Sequence, residues 1–82
     1  MFYVYVIISL KDKTTYIGST ENLENRLKDH NQGKTKSIKH KVPFELVYFE
    51  AYLNRTQARK REIRLKKNSS EKEKLYRRIF DK

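Results

Sequence analysis

Seven consecutive residues near the start of the chain, Phe2-Tyr3-Val4-Tyr5-Val6-Ile7-Ile8, are all apolar or aromatic, and this run constrains everything that packs around it. It is too short for a buried helix, rich in β-branched and aromatic side chains, and apolar on both faces, which describes a strand covered on both sides by other layers. Only 37% of the 82 residues are hydrophobic, so the core must form where large apolar side chains concentrate, in residues 2–8 and in a second run at 44–52. A chain of this length supports one domain, taken as residues 1–82.

The remaining elements follow from changes of period. Ser9 to Lys13 is polar, and Thr14-Thr15-Tyr16-Ile17-Gly18 is a second β-favouring stretch close enough to form an antiparallel hairpin with the first. From residue 22 to 32 the pattern turns helical, with Leu23 and Leu27 at i, i+4, Asn22 as N-cap and Gly33 as a left-handed stop. Residues 34–42 have no periodicity and predict an exposed basic loop, which Pro43 ends before a third strand over 44–52. Asn54 with Gln57 has the form of a capping box for a helix over 55–67; Asn68-Ser69-Ser70 interrupts it, and Leu75 and Ile79 support a last helix over 71–80. The order β-β-α-β-α-α predicts an α+β fold, a small three-stranded, mostly antiparallel sheet flanked by helices.

Charge is distributed unevenly. The formal net charge is +10, yet through Gly33 four basic residues balance four acids, and all the excess lies beyond it. Lys34, Lys36, Lys39 and Lys41 line the predicted loop, and Arg59, Lys60, Arg61, Arg64, Lys66 and Lys67 crowd one helix. Such a surface attracts polyanions, nucleic acid first among them, although a solvated helix face is the plainer account of any charge run. A membrane partner is not expected, because the basic helix lacks a broad aromatic and leucine face and no apolar stretch approaches the ~20 residues of a span. The chain has no cysteine, which excludes disulfides, thiolate zinc sites and Cys nucleophiles. Nothing resembles a secretory leader, and a soluble cytoplasmic protein is expected.

Three sets of side chains stand out against this background. Ala58, Glu62 and Leu65 fall at i, i+4 and i+7, so an acid occupies an apolar helical stripe. An ion pair within the same helix, with Ile63 rather than Glu62 turned to the core, is one explanation. The other is that Glu62 faces the sheet to hold a divalent cation, because Mg²⁺ takes one or two protein carboxylates and completes its shell with water and phosphate oxygen. Arg26 and His30 stand one turn apart on the first helix, a fixed fork for phosphate oxygens beside a group that titrates near neutrality. Tyr3 and Tyr5 share a strand face and Tyr16 lies on the next strand; aromatics there ordinarily pack a core, and buried hydroxyls would demand a polar site.

Tyr3-Val4-Tyr5 and, ten residues later, Tyr16-Ile17-Gly18 open an ordered series that continues through Asn22-Leu23, Arg26-Leu27, His30, Gly33, Pro43, Leu46-Val47-Tyr48, Ala58, Arg61-Glu62 and Leu65-Lys66. The series resembles the GIY-YIG nuclease superfamily, specifically its small single-domain members, over residues 1–67, with 68–82 divergent. The resemblance implies that Tyr5 and Tyr16 are the motif tyrosines, Arg26 the arginine of the following helix, His30 the His-or-Tyr one turn later, and Glu62 the metal-binding glutamate. It implies hydrolysis of a DNA phosphodiester by water with a single Mg²⁺ or Mn²⁺ ion, and Arg26 stabilising charge on the phosphoryl oxygens. A motif tyrosine is then the base, with His30 helping to draw its proton; Tyr5 or Tyr16 fits that role, Tyr5 being preferred as the base and Tyr16 as a positioning group. Tyr3 replaces the usual motif glycine, and Asn68 lies too close to Glu62 to match the family's late asparagine.

With no separate recognition module expected, the ten basic side chains named above would contact phosphates themselves. Phosphate contacts position without reading sequence, so structure-selective or weakly selective cleavage is expected, on DNA that includes branched or damaged forms. RNA and a protein partner supplying specificity both fit the same surface. Repair, recombination and mobile-element processing all employ this chemistry. Two other classes compete: a non-catalytic nucleic-acid-binding module with the same fold, and a small basic interaction protein. The set Tyr5, Tyr16, Arg26, His30 and Glu62 favours the enzyme, because an acid facing a polyanion serves a mere binder poorly.

Overall fold

Strand β1 (Phe2–Ser9) is the middle strand of a three-stranded antiparallel sheet, between β2 (Thr15–Thr20) and β3 (Phe44–Tyr52). This computed structural model describes residues 1–80; the last two residues of the expected domain, 81 and 82, lie outside the described residues. Helices α1 (Leu23–Asn31), α2 (Arg55–Lys67) and α3 (Ser69–Phe80) complete the order β-β-α-β-α-α. None of the described helices is long and apolar enough to cross a membrane.

The double-sided apolar character of β1 has a direct structural cause. Val4 and Val6 point to one face, where they pack with Ile17, Ala58, Leu65 and Leu75 beneath α2 and α3. Tyr5 and Ile7 point to the other, where they meet Phe44, Ile38 and the α1 leucines Leu23 and Leu27. Burial on both faces removes apolar area from water at about 25 cal/mol per Å², so this strand stabilises the layers on either side of it. A bulge in β3 opposite Val6 and Ile7 pairs Val6 with Tyr48 and Ile7 with Leu46, and turns both Val47 and Tyr48 towards the α2–α3 core.

Two boundaries and one loop differ from the sequence expectation, each for a local reason. β2 continues past Gly18 because Ser19 and Thr20 still pair with Val4 and Tyr3. α1 is capped as expected, Asn22 Oδ1 accepting from Asn25 N at 3.0 Å, and Gly33 takes a φ of +75° just after its end. The break between the last two helices is a single residue: Asn68 ends α2, and its Oδ1 accepts from Glu71 N at 3.1 Å, so α3 begins at Ser69 rather than at residue 71. The loop after Gly33 is not simply exposed. Ile38 anchors it in the α1 core, and Lys39–Lys41 form a 3₁₀ turn.

An ion-pair network ties β3 to the two last helices. Glu50 accepts from the hydroxyls of Tyr48 and Tyr52 and from Arg61, whose Nε and Nη2 each lie 3.0 Å from a carboxylate oxygen; Arg61 Nη1 reaches Glu71 at 3.3 Å. Arg61 is therefore turned inward, which removes it from the expected phosphate-binding face. Burial pushes the Glu50 pKa up, but hydrogen bonds from Arg61, Tyr48 and Tyr52 and the Arg61 charge outweigh it and hold the group below the usual 4.5. Breaking a buried pair costs about 3–5 kcal/mol, and partial exposure of this one lowers the expectation for Arg61→Met to about 2 kcal/mol at neutral pH. A depressed carboxylate stabilises the fold above its unfolded pKa and loses that contribution as pH falls through its folded value. Denaturant unfolding should therefore show the gap between wild type and Arg61→Met narrowing below pH 4.5; a gap independent of pH would contradict the assignment.

Candidate active site at the edge of the sheet

Tyr5 is buried to 2% exposure in the centre of the sheet, so its hydroxyl needs a partner inside the protein. Cross-strand from it is Gly18, and the phenol lies directly over that glycine: a Cβ built there would come within 2.6 Å of Tyr5 Cζ and nearer still to the hydroxyl. The hydroxyl meets His30 Nε2 at 2.8 Å. His30 is itself fully buried on α1, and its other nitrogen, Nδ1, lies 3.1 Å from Thr35 Oγ1. Burial lowers the His30 pKa, and the neighbouring Arg26 charge lowers it further against Asp29, so the ring is neutral at pH 7. A neutral ring satisfies both contacts when Tyr5 O–H donates to Nε2 and Nδ1–H donates to Thr35 Oγ1.

Arg26, one turn earlier on α1, lies against the same phenol. Burial pushes the Tyr5 pKa up to about 12, and the adjacent guanidinium is the main opposing influence. Tyr16 joins the cluster through its ring, 5.3 Å from the His30 ring centroid. All four groups sit on the α1 side of the sheet.

Glu62 reaches the site from the opposite side. The apolar stripe of α2 does turn it inward: Glu62 is 6% exposed while Ile63 is 41% exposed, so it is Glu62 and not Ile63 that faces the sheet. The intrahelical ion pairs are present as well, so of that alternative the pairing holds and the inward Ile63 does not. Ser19 Oγ donates to Glu62 Oε1 at 2.6 Å, Arg59 Nη1 lies 3.5 Å from the same oxygen, and Lys66 Nζ donates to Oε2 at 2.8 Å. Burial raises the Glu62 pKa, but Lys66, Ser19 and Arg59 together hold it below the ordinary glutamate value. Lys66 closes the circuit, since its ammonium also lies 5.5 Å from the Tyr16 ring centroid. β2 is an edge strand, so groups on both faces of the sheet meet around its rim.

Among the described residues no three His, Cys, Asp or Glu side chains gather as a metal cluster. That excludes a closed zinc-type cage from them and leaves one buried carboxylate, already bearing cations, on the rim. A single carboxylate is a donor set that suits Mg²⁺ or Mn²⁺, and Glu62, with Lys66 and Arg59 displaced from it, is the residue here that would hold the ion.

The profile of the GIY-YIG catalytic domain matches residues 1–77. The chain belongs to the GIY-YIG family. A UPF0213 protein of Clostridium perfringens is 46% identical over 68 residues, 82% of this chain and 72% of the relative. Counterparts in Oceanobacillus iheyensis and Bacillus subtilis are 40% and 34% identical, covering 78% and 88% of this chain and 74% of each relative. No solved structure matches. Membership places the GIY-YIG domain described here in an endonuclease superfamily that acts on nucleic acid and generally uses divalent metal ions.

Tyr5, Tyr16, Arg26 and His30 converge, and Glu62 joins them through Lys66 across β2. Lys36, Lys39, Lys60 and Lys67 are exposed, and Lys34 is exposed beside Asp29 at 3.4 Å. Arg64 is exposed and 3.7 Å from Glu71. Lys41 departs from the expectation: its ammonium donates to Thr14 Oγ1 at 2.9 Å and pairs with Asp12 at 3.4 Å, pinning the loop to the hairpin. Sequence reasoning missed Ser19 and Thr35. The alternation of β2 places Ser19 on the Ile17 face, under α2, whereas nothing local marks Thr35, which returns to His30 only after the turn at Gly33. Gly18→Ala is expected to cost about 1–3 kcal/mol in denaturant unfolding by overpacking the Tyr5 phenol. The same variant should alter the imidazole ¹⁵N shifts of His30; wild-type stability and shifts together would show that the glycine does not seat the tyrosine.

Proposed function

We propose that the protein is a metal-dependent DNA endonuclease, structure-selective or only weakly sequence-selective. The observation that carries this reading is the placement of Glu62, a buried, ionised carboxylate on the rim of β2, one ammonium away from the Tyr16, Tyr5 and His30 rings. A divalent ion at Glu62 would supply neutralisation of the scissile phosphate and the leaving oxygen. Arg26 is permanently cationic and adjacent to Tyr5, where its fork can bind the charge that builds on the phosphoryl oxygens.

A phenol held near 12 is a poor base, so Tyr5 does not act as a free phenolate. Tyr5 oxygen instead takes a proton from the attacking water as its own hydroxyl proton passes to His30 Nε2, 2.8 Å away. Atoms and charge balance: the water becomes the nucleophile, Tyr5 stays neutral, and His30 ends protonated. Tyr16 shapes the wall beside Lys66 and His30. Lys36, Lys39, Lys60 and Lys67 meet phosphates without reading bases, which supports weak sequence selectivity and a steep salt dependence.

A second reading, a nucleic-acid-binding module without catalysis, is favoured by the two cations already on Glu62. The two are separated by incubating linear, nicked and branched DNA, with RNA as comparison, in Mg²⁺, Mn²⁺ or chelator. The enzyme reading predicts metal-dependent cleavage that Glu62→Ala abolishes with binding retained; binding by both proteins with no cutting of any substrate establishes the module instead. Arg26→Ala should lower kcat by about 10²–10³-fold while changing affinity little, and equal losses in both would remove Arg26 from the transition state. Because His30 must be neutral to accept the proton, the acid limb of the rate profile should lie below pH 6.5. An acid limb above neutrality would contradict the relay.

A further inference from the structure

We propose that a groove beside Glu62, between the end of β2 and the first turns of α2, seats a nucleotide flanking the scissile phosphate, its base stacked on Arg55 and its phosphate against Arg59. The ligand's chemistry rests on the nuclease reading; the seat rests on the groove alone. The groove encloses about 550 Å³, and Phe2, Ser19, Thr20, Arg55, Thr56 and Arg59 contribute to its walls.

Arg55 is the distinctive wall. Its Cζ lies 5.5 Å from the Phe2 ring centroid, and its Nη2 lies 3.5 Å from Glu21 Oε2. One face of the guanidinium is thus backed by an aromatic ring and one edge by a carboxylate, although the side chain is 73% exposed. The other face is free to stack on a planar π system. Nucleobases are the planar groups a phosphate-binding surface meets, and stacking tolerates every base because each has a π face. Thr20 and Thr56 add hydroxyl donors and acceptors suited to sugar and phosphate oxygens.

The inner end of the groove connects it to the candidate chemistry. Ser19 Oγ and Arg59 Nη1, both groove residues, approach Glu62 Oε1, whereas Oε2 faces Lys66 and, past it, Tyr16. The carboxylate therefore lies just behind the groove wall formed by Ser19 and Arg59, with Lys66 and the Tyr16 ring on its other side. A strand crossing the rim of β2 with a phosphate near Glu62 places its neighbouring nucleotide in the groove.

The test uses the full chain in chelator, with the trinucleotide d(ApApA) and inorganic phosphate as probes, read by amide and side-chain NMR shifts. The trinucleotide should shift Ser19, Thr20, Arg55 and Thr56, and phosphate alone should shift Arg59 but not Arg55. Phe2→Leu keeps apolar volume under α2 while removing the ring behind Arg55, and Arg55→Gln removes the stacking plane. Each should weaken trinucleotide binding about fivefold or more, with Lys74→Gln, exposed on α3 and outside the groove, as the control that changes it little. Shifts confined to residues 34–39, or both groove variants binding as wild type, overturn the proposal. Failure of cleavage under every metal condition would sink the nuclease reading and leave this binding result standing, so the two outcomes are distinguishable.

Discussion

The bond between Tyr5 and His30 is the constraint around which the molecule is arranged. A strand buried on both faces carries a phenol in its centre, and a buried hydroxyl without a partner is costly. The sheet provides the space, because Gly18 opposite has no side chain, and α1 provides the acceptor, because His30 is fully buried beneath it. Once the imidazole is buried its protonation is disfavoured, which leaves a nitrogen free to accept. Core packing therefore sets the hydrogen-bonding state of the pair, because the same contact that satisfies the buried phenol holds the imidazole as its acceptor.

The second organising feature is the thinness of the sheet at β2. With β1 as the centre and β2 at the rim, side chains from α1 and α2 approach each other around a single strand. Glu62 and the tyrosines belong to opposite faces, yet Lys66 touches both the carboxylate and the Tyr16 ring. A wider sheet would separate these groups by a strand spacing of about 4.8 Å for each added strand. Having so few strands is thus compatible with a composite site in a way that a larger domain would need extra elements to reproduce.

The basic residues divide by surroundings. Arg61 and Lys41 are used to hold elements together, one bridging β3 to α2 and α3, the other fastening the loop to the hairpin. Arg59 and Lys66 compensate Glu62, and Arg55 is ordered by Phe2 and Glu21. Lys36 and Lys39 of the loop and Lys60 and Lys67 of α2 remain exposed at the surface. Net charge counts all of these equally, although only the last group is free to move onto a ligand at no structural cost.

The order of elements, the hairpin, both helix N-caps and the left-handed glycine were legible in the chain, because each is set by neighbours a few residues apart. The inward turn of Glu62 was one of two readings, visible against Ala58 and Leu65, and packing decided it over an inward Ile63. The single-residue break at Asn68 and the inward use of Arg61 and Lys41 were not legible, since Ser69 can start a helix as easily as interrupt one and a cation's partner can lie on any other element. Ser19 and Thr35 were hidden for the same reason: a hydroxyl acquires its meaning from the group it meets. Local spacing determined which strands and helices form and which faces they bury; packing across the sheet alone decided which charges are free, which hydroxyls are engaged, and that groups from two faces share one rim, because those outcomes depend on distances between residues far apart in the chain.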